Sequence, residues 1–116
     1  MVIDISDQRL YQFENGMRTG DLPVSSGSGR PYRYRGRTYS AQTPRGSFRI
    51  GRKVQGWRTS ALGRLYFPSY FVGGFAIHGG QLPGYPASHG CVRIPMSAAV
   101  NFYHWAVPGT SVSVQE

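Results

Sequence analysis

Short runs of alternating apolar and polar residues, each followed by turn residues, most strongly limit the folds open to this chain. Residues 2–6 and 9–14 (VIDIS and RLYQFE) have this two-residue period, which is typical of strands with one buried face. Asn15-Gly16 comes next, and this pair favours a type I′ hairpin turn because both of its positions need a positive φ angle. We therefore predict a return strand over residues 17–24.

Further strands are predicted downstream of a long irregular region. Residues 25–47 are rich in Gly, Ser and Pro, so we predict a loop there. Alternation predicts strands near residues 48–51 and 111–114. Residues 65–77 are aromatic and β-prone, and we expect two short strands or one bent strand, because Pro68 and Gly73-Gly74 interrupt them and the glycines favour a bulge or a close backbone approach.

One segment, about residues 96–107, favours a helix. Pro95 lies near its first turn, where a missing N–H costs little, and Pro108-Gly109 ends it. Four apolar residues recur at helical spacing on one face and three polar residues share the other: Ala98, Phe102, Trp105 and Ala106, against Ser97, Asn101 and His104. The pattern predicts one mainly β domain over residues 1–116, a sandwich or barrel-like fold with a single C-terminal helix.

The charge of the chain is strongly one-sided. Thirteen Lys and Arg stand against five Asp and Glu, for a net charge of +8, and no carboxylate side chain occurs between residues 22 and 115. An anionic partner is therefore expected, whether nucleic acid, an envelope polymer or a substrate bearing carboxylates. A glycosidase with paired carboxylates is disfavoured, because both acids would have to come from the N-terminal hairpin or the terminal Glu116.

The tyrosines and arginines of residues 30–37 could instead stack on and pair with nucleic acid. The stretch lacks the repetition of an RGG tract, so a solvated surface loop is the favoured interpretation.

No apolar run approaches the ~20 residues that span a bilayer, and the first residues do not resemble a signal peptide. If the natural protein is exported, we expect the export signal to be missing from this chain. A single cysteine, Cys91, also excludes an internal disulfide.

Cys91 and His78 lie in one Gly/Pro-rich stretch, AIHGGQLPGYPASHGCVR. A thiol and an imidazole are the minimum parts of a cysteine nucleophile with a histidine base. Arg93 would add positive potential, and we expect His78 and Arg93 together to lower the pKa of the thiol. Since carboxylates are missing nearby, a backbone carbonyl or a hydroxyl such as Ser88 is expected to orient His78.

A metal site is the alternative use of these side chains. His78, His89, Cys91 and His104 are all zinc-competent, but no CxxC or HExxH spacing occurs. We therefore predict no metal site.

The motifs IHGG at residues 77–80 and SHGCVR at residues 88–93 resemble those of the YkuD-like L,D-transpeptidase catalytic domains. The resemblance extends to the N-terminal hairpin, to TPRGSFRI and to the C-terminal NFYHWAVPGTSVSV. The loop between the histidine and the cysteine is short relative to many members of that family.

The resemblance implies a peptidoglycan enzyme without a cofactor. Cys91 would attack the position-3 carbonyl of a tetrapeptide stem, release D-Ala, and pass the acyl group to a second stem as a 3→3 cross-link. His78 would be the base, oriented by the carbonyl of Gly79, and the backbone of Gly90 and Cys91 would stabilise the oxyanion with Arg93 nearby. A substrate contact is implied for Tyr70. For Ser88 and His89 the resemblance implies either a substrate contact or a role in holding the turn.

The same resemblance implies acylation by carbapenem β-lactams, a location in the cell envelope, and stem peptides as the partners. We expect a monomer without a nucleic-acid partner. Two alternatives are retained: an L,D-carboxypeptidase that uses the same dyad with water, and a non-enzymatic basic module that binds nucleic acid or an anionic wall polymer.

Overall fold

The computed structural model describes residues 1–116, which form eleven strands and one helix. The strands are β1 (Val2–Asp4), β2 (Arg9–Glu14), β3 (Met17–Pro23), β4 (Pro31–Tyr34), β5 (Arg37–Ser40), β6 (Gly46–Arg49), β7 (Trp57–Ser60), β8 (Gly63–Val72), β9 (Phe75–Gly80), β10 (Val92–Pro95) and β11 (Ser111–Gln115). Helix α1 (Met96–Trp105) lies between β10 and β11. The predicted mainly β fold with one C-terminal helix is confirmed.

The strands form three sheets. The largest has the order β3-β2-β1-β11-β6, the second has the order β10-β9-β8-β7, and β4 and β5 pair only with each other. All three sheets are open, so the domain is not a closed barrel. In the largest sheet β1 pairs in parallel with β11, which brings the two ends of the chain together.

The main core lies between the two larger sheets and the helix. Ile3 and Val112 come from the five-stranded sheet, Ile77 and Ile94 from the four-stranded sheet, and Phe102 from α1; all are at most 2% exposed. Burial of such side chains supplies the main stabilisation of a domain of this size. The two strands that end in this core, β9 and β10, also carry the residues of the candidate site.

The N-terminal hairpin and the helix follow the sequence predictions. Asn15 and Gly16 have φ angles of 53° and 77°, as a type I′ turn requires. Helix α1 begins at Met96 and ends at Trp105, two residues before the predicted end, and Ala106 N–H closes it on the carbonyl of Phe102 at 2.8 Å. Its polar residues are exposed as predicted: Ser97, Asn101 and His104.

The prediction of a loop over residues 25–47 is wrong for the centre of that range. Strands β4 and β5 form a hairpin there, turned by Arg35 and Gly36 with φ angles of 50° and 79°. Arg-Gly adopts the same I′ conformation as Asn-Gly, but arginine gives no sequence signal for a positive φ angle.

The remaining differences concern strand bounds and irregularities. Strand β7 was not predicted. Gly73 and Gly74 form the turn between β8 and β9. The pairing of these strands is irregular in two places, near Pro68, where Phe67 has a φ angle of 51°, and between Tyr70 and Val72, next to the glycines. Helix α1 is the only helix of the structure, and its ten residues are too few to cross a lipid bilayer.

Candidate active site

Neighbouring parallel strands bring the predicted histidine and cysteine to one place. In the pairing of β9 with β10, Ile77 is opposite Val92 and His78 is opposite Arg93. Cys91 immediately precedes β10, and its Sγ accepts a hydrogen bond from the Ala76 N–H at 3.4 Å. The histidine strand and the residue that leads into the neighbouring strand therefore lie side by side, although thirteen positions separate His78 and Cys91 in the chain.

The imidazole of His78 is buried, neutral and held in one tautomer. It is 4% exposed, and its Nδ1 donates to the carbonyl oxygen of Gly79 at 2.8 Å, as predicted. Because a carbonyl can only accept, Nδ1 carries the proton and Nε2 has a free lone pair. Burial lowers the pKa of His78 to about 4; the Gly79 bond opposes this change and Arg93 adds to it.

Close packing of α1 fixes the Gly79 carbonyl. A Cβ atom at Gly79 would lie 2.8 Å from the Cβ of Ala99 and 3.0 Å from the Sδ of Met96, both on the first turns of the helix. Only glycine permits this approach of helix and strand. The amphipathic helix thus positions the acceptor that selects the tautomer of His78.

The thiol of Cys91 is buried and neutral. It is 1% exposed and packs with Leu65, Tyr70 and Ala76. Burial raises its pKa to about 12, against smaller lowering effects from the Ala76 N–H and Arg93. The expectation of a lowered pKa is therefore wrong for this structure, because desolvation outweighs the positive field.

The sulfur and the imidazole are not hydrogen-bonded to each other. The Sγ contacts of Cys91 are the Ala76 N–H at 3.4 Å and, more distantly, the Gly74 carbonyl at 3.9 Å. The structure therefore places the imidazole on β9 and the thiol just before the adjacent strand β10, with no hydrogen bond between them.

Ser88 shapes the turn that leads to Cys91. Its Oγ donates to the Cys91 carbonyl and accepts from the Gly90 N–H at 3.0 Å, so it does not orient His78. Gly90 has a φ angle of 138°, and a Cβ there would lie 2.6 Å from the Phe75 ring. The Gly90 N–H is thus engaged within the turn, whereas no hydrogen bond occupies the Cys91 N–H.

Arg93 spans the short loop between the histidine and the cysteine. Its Nη1 donates to the Gln81 carbonyl and its Nη2 to the Ala87 carbonyl, both at 3.4 Å. These long bonds leave much of the hydrogen-bonding capacity of the guanidinium unused. Arg93 therefore both fastens the loop and presents a charge next to His78.

The two remaining predicted substrate contacts differ in accessibility. Tyr70 is 4% exposed, lies behind Cys91 in its apolar cluster, and has the Arg52 guanidinium over its ring at 4.1 Å. His89 is exposed, and its ring stacks on that of Tyr32 with centroids 4.1 Å apart and planes at 6°. In this structure His89 offers a surface to a substrate and Tyr70 does not.

Sequence reasoning missed two side chains that hold the turn at residues 88–91, here called the cysteine turn, and the loop before it. The Oγ1 of Thr43 donates to the Gly90 carbonyl at 2.7 Å and accepts from the Gly27 N–H at 2.8 Å. The Oγ of Ser25 donates to the Tyr85 carbonyl at 2.7 Å. Both lie in the region interpreted as loop, and no local pattern indicates contacts over 47 and 60 residues.

A cavity of about 420 Å³ opens beside the histidine. It is lined by an aromatic ring, two arginines and the histidine strand: Trp57, Arg64, His78, Gly79, Gly80, Gln81, Arg93 and Met96. Trp57 and Arg64, which sequence reasoning did not single out, stack with the guanidinium 4.4 Å from the ring. The structure groups no three His, Cys, Asp or Glu side chains in a way that could hold a metal.

Known L,D-transpeptidase structures share this fold. An L,D-transpeptidase from Xylanimonas cellulosilytica is 39% identical over 97% of this chain, with a TM-score of 0.89. An L,D-transpeptidase from Mycobacterium tuberculosis is 23% identical over 99% of this chain, with a TM-score of 0.81. An L,D-transpeptidase in complex with imipenem is 19% identical over 97% of this chain, with a TM-score of 0.79. This chain spans 58%, 56% and 56% of those three chains. No curated protein matches the sequence.

The model of the YkuD family, the L,D-transpeptidase catalytic domain, matches residues 1–114. That match covers the hairpin, both larger sheets and the turn that carries Cys91. The chain therefore belongs to the YkuD family of L,D-transpeptidase catalytic domains.

Proposed function

We propose that this domain is a peptidoglycan L,D-transpeptidase in which Cys91 is the nucleophile and His78 the general base. The observation that carries the proposal is the His78–Gly79 bond, which leaves a neutral Nε2 on the strand next to the cysteine turn. Family membership supplies the reaction class, and stem peptides are the substrate that this class implies.

The resting thiol is not the attacking species. With a pKa of about 12, roughly one thiol in 10⁵ is ionised at neutral pH. Attack therefore requires the Cys91 side chain to leave the Ala76 N–H and give its proton to His78 as the C–S bond forms. Substrate binding and removal of the proton are coupled, and no stable ion pair precedes them.

The reaction then proceeds in two acyl transfers. Sγ adds to the carbonyl carbon of residue 3 of the stem, the bond to the D-Ala nitrogen breaks, and His78 returns the proton to that amine. The amine of a second stem attacks the thioester, gives its proton to His78, and restores the thiol. The free Cys91 N–H and the charge of Arg93 stabilise the oxyanion, while the Gly90 N–H contributes only if it leaves Ser88.

The partners follow from the same chemistry. Imipenem is bound in one structural relative, so carbapenems are proposed as acylating inhibitors of Cys91. The cell envelope is the proposed location because the proposed substrate is found there. The proposed reaction needs only side-chain and backbone groups of this chain and the two stem peptides.

Imipenem acylation followed by intact-protein mass spectrometry tests the nucleophile and the base. We expect one adduct on the unsubstituted protein, none on Cys91→Ala, and acylation about 10²- to 10⁴-fold slower for His78→Gln, the range typical of general base catalysis. An unsubstituted protein that reacts with a small thiol reagent but never acylates would contradict the proposal.

Defined tetrapeptide muropeptides separate transfer from hydrolysis. Cross-linked dimers are the expected product. Trimmed monomers alone would show that water is the acceptor and that the domain is an L,D-carboxypeptidase. No turnover, together with salt-sensitive polymer binding that survives Cys91→Ala, would instead indicate a binding module.

A further inference from the structure

The hairpin formed by β4 and β5 is a separate two-stranded sheet fastened next to the cysteine turn. At its base, Gly29 N–H donates to the Ala41 carbonyl at 2.8 Å and Ala41 N–H to the Arg30 carbonyl at 3.0 Å. One residue earlier, Ser28 N–H donates to the Ser88 carbonyl at 2.9 Å. The base of the hairpin is therefore bonded to the same turn that presents Cys91.

One face of this hairpin carries aromatic rings toward the cysteine turn. Tyr32 is opposite Tyr39 and Tyr34 is opposite Arg37 in the strand pairing, so these four side chains share a face, which we call the hairpin face. The rings of Tyr32 and Tyr39 lie 5.6 Å apart, and His89 stacks on Tyr32.

The hairpin face is continuous with the site. His89 is two residues from Cys91 in the chain. Burial raises the pKa of Tyr32, with smaller contributions from Tyr39 and then Cys91, which agrees with a phenol close to the thiol. A ligand lying along the edge of the Tyr32–His89 stack would therefore lie beside the turn that leads to Cys91.

The arginines of the hairpin have no carboxylate partner in the protein. Its four arginines, Arg30, Arg33, Arg35 and Arg37, are exposed. The ion pairs of the protein join Arg9 and Arg18 to Asp21 and Arg45 to Glu116, all outside this hairpin.

The four guanidinium groups are not equally available. Arg33 bonds back to the Gly36 carbonyl at 3.2 Å, and Arg35 lies over the Tyr34 ring at 5.3 Å. Arg30 and Arg37 make no side-chain hydrogen bond, and Arg37 belongs to the hairpin face. Arg37 is thus the free cation that the strand pairing places on the same face as the aromatic rings.

We propose that the hairpin face is a binding surface for a carboxylate-bearing peptide, and that it holds the substrate of Cys91 while Arg37 pairs with a substrate carboxylate. This inference rests on the proposed function. Guanidinium groups bind carboxylates through two parallel hydrogen bonds, and flat aromatic rings suit the planar groups of a peptide. A distant anionic polymer would also suit the charge, but the contact between His89 and Tyr32 joins this surface to the reacting centre.

Binding of a synthetic tetrapeptide stem to protein carrying Cys91→Ala, which prevents turnover, tests the inference by calorimetry. Two stems are compared, one with free carboxylates and one with carboxamides. Arg37→Gln is expected to weaken binding of the free stem about 3- to 10-fold and to leave the carboxamide stem unchanged. Arg49→Gln, which removes an exposed arginine from β6 in the other sheet, is the matched control and should change neither.

The inference is overturned if Arg37→Gln binds the free stem as tightly as Arg49→Gln does. It is also overturned if Arg37→Gln loses affinity for polyphosphate but not for the stem, because the hairpin would then bind a phosphate polymer. Imipenem acylation of protein with Cys91 intact distinguishes failure of the hairpin inference from failure of the proposed function. Acylation with no Arg37 effect rejects only the hairpin surface, whereas no acylation of the unsubstituted protein rejects the proposed function itself.

Discussion

The cysteine turn and the β4–β5 hairpin touch through the rings of His89 and Tyr32, yet they differ in burial and in charge. Around the turn, Cys91 and His78 are at most 4% exposed, and burial keeps both neutral. On the hairpin, four exposed arginines have no carboxylate partner.

Under the proposed function, this difference assigns the reaction to the buried groups and recognition of the substrate to the exposed arginines. Groups that exchange a proton work best when neither is locked in a charged form, and a dry site provides that. Groups that attract an anion work best in contact with solvent, where keeping the charge costs little. Changes in the buried region, in the hairpin and at the contact between them can each test this comparison.

The largest effect is expected from acid on the buried region. His78 has a pKa of about 4 in the folded protein and an ordinary value of 6.5, so the folded state binds this proton less tightly than the unfolded chain. The contribution of neutral His78 to the free energy of unfolding is therefore complete above pH 6.5. As the pH falls from 6.5 toward 4, the free energy of unfolding decreases by roughly 3 kcal/mol in total.

Urea unfolding at pH 7.5 and pH 4.5 measures this loss. His78→Gln should show a much smaller fall in the free energy of unfolding between the two pH values, and the difference between the proteins isolates the histidine from other titrating groups. Equal falls would show that His78 is not held neutral by burial.

An intermediate effect is expected from filling the space between Gly79 and α1. In Gly79→Ala the new Cβ would lie 2.8 Å from the Ala99 Cβ, and overpacking of this kind costs about 1–3 kcal/mol. Ala99→Gly removes the nearest atom, so the double variant should be less destabilised than the sum of the single variants. Additive losses in urea unfolding would indicate that the helix does not press on this glycine.

The smallest effect is expected where the two regions meet. Tyr32→Ala removes the stack on His89 and should lower the free energy of unfolding by about 0.5–1.5 kcal/mol beyond the loss of buried area. Tyr32→Phe keeps the ring and serves as the control. The ring resonances of His89 should move in the alanine variant and stay close to their original positions in the phenylalanine variant; unmoved resonances in both would rule out the stack in solution.

Local residues were enough to predict several elements. The turn at Asn15-Gly16 was predictable because its backbone angles depend on two adjacent residues. Helix α1 was predictable because its apolar spacing and the following Pro108-Gly109 are local. The motifs around His78 and Cys91 identified the family, and the absence of carboxylates indicated a histidine oriented by a carbonyl, which the Gly79 bond confirms.

Only the tertiary structure decided the state of the thiol and the surroundings of the turn. The pKa of Cys91 depends on how many apolar atoms surround the sulfur, and Leu65 and Tyr70 reach it from another strand. Thr43 secures Gly90 from 47 residues away. The hairpin that turns at Arg35-Gly36 was identified only from the pairing of β4 with β5 and from the stack of Tyr32 on His89. Sequence determined which groups are present and where the chain turns locally, whereas burial and contacts between distant segments exist only once the sheets have packed.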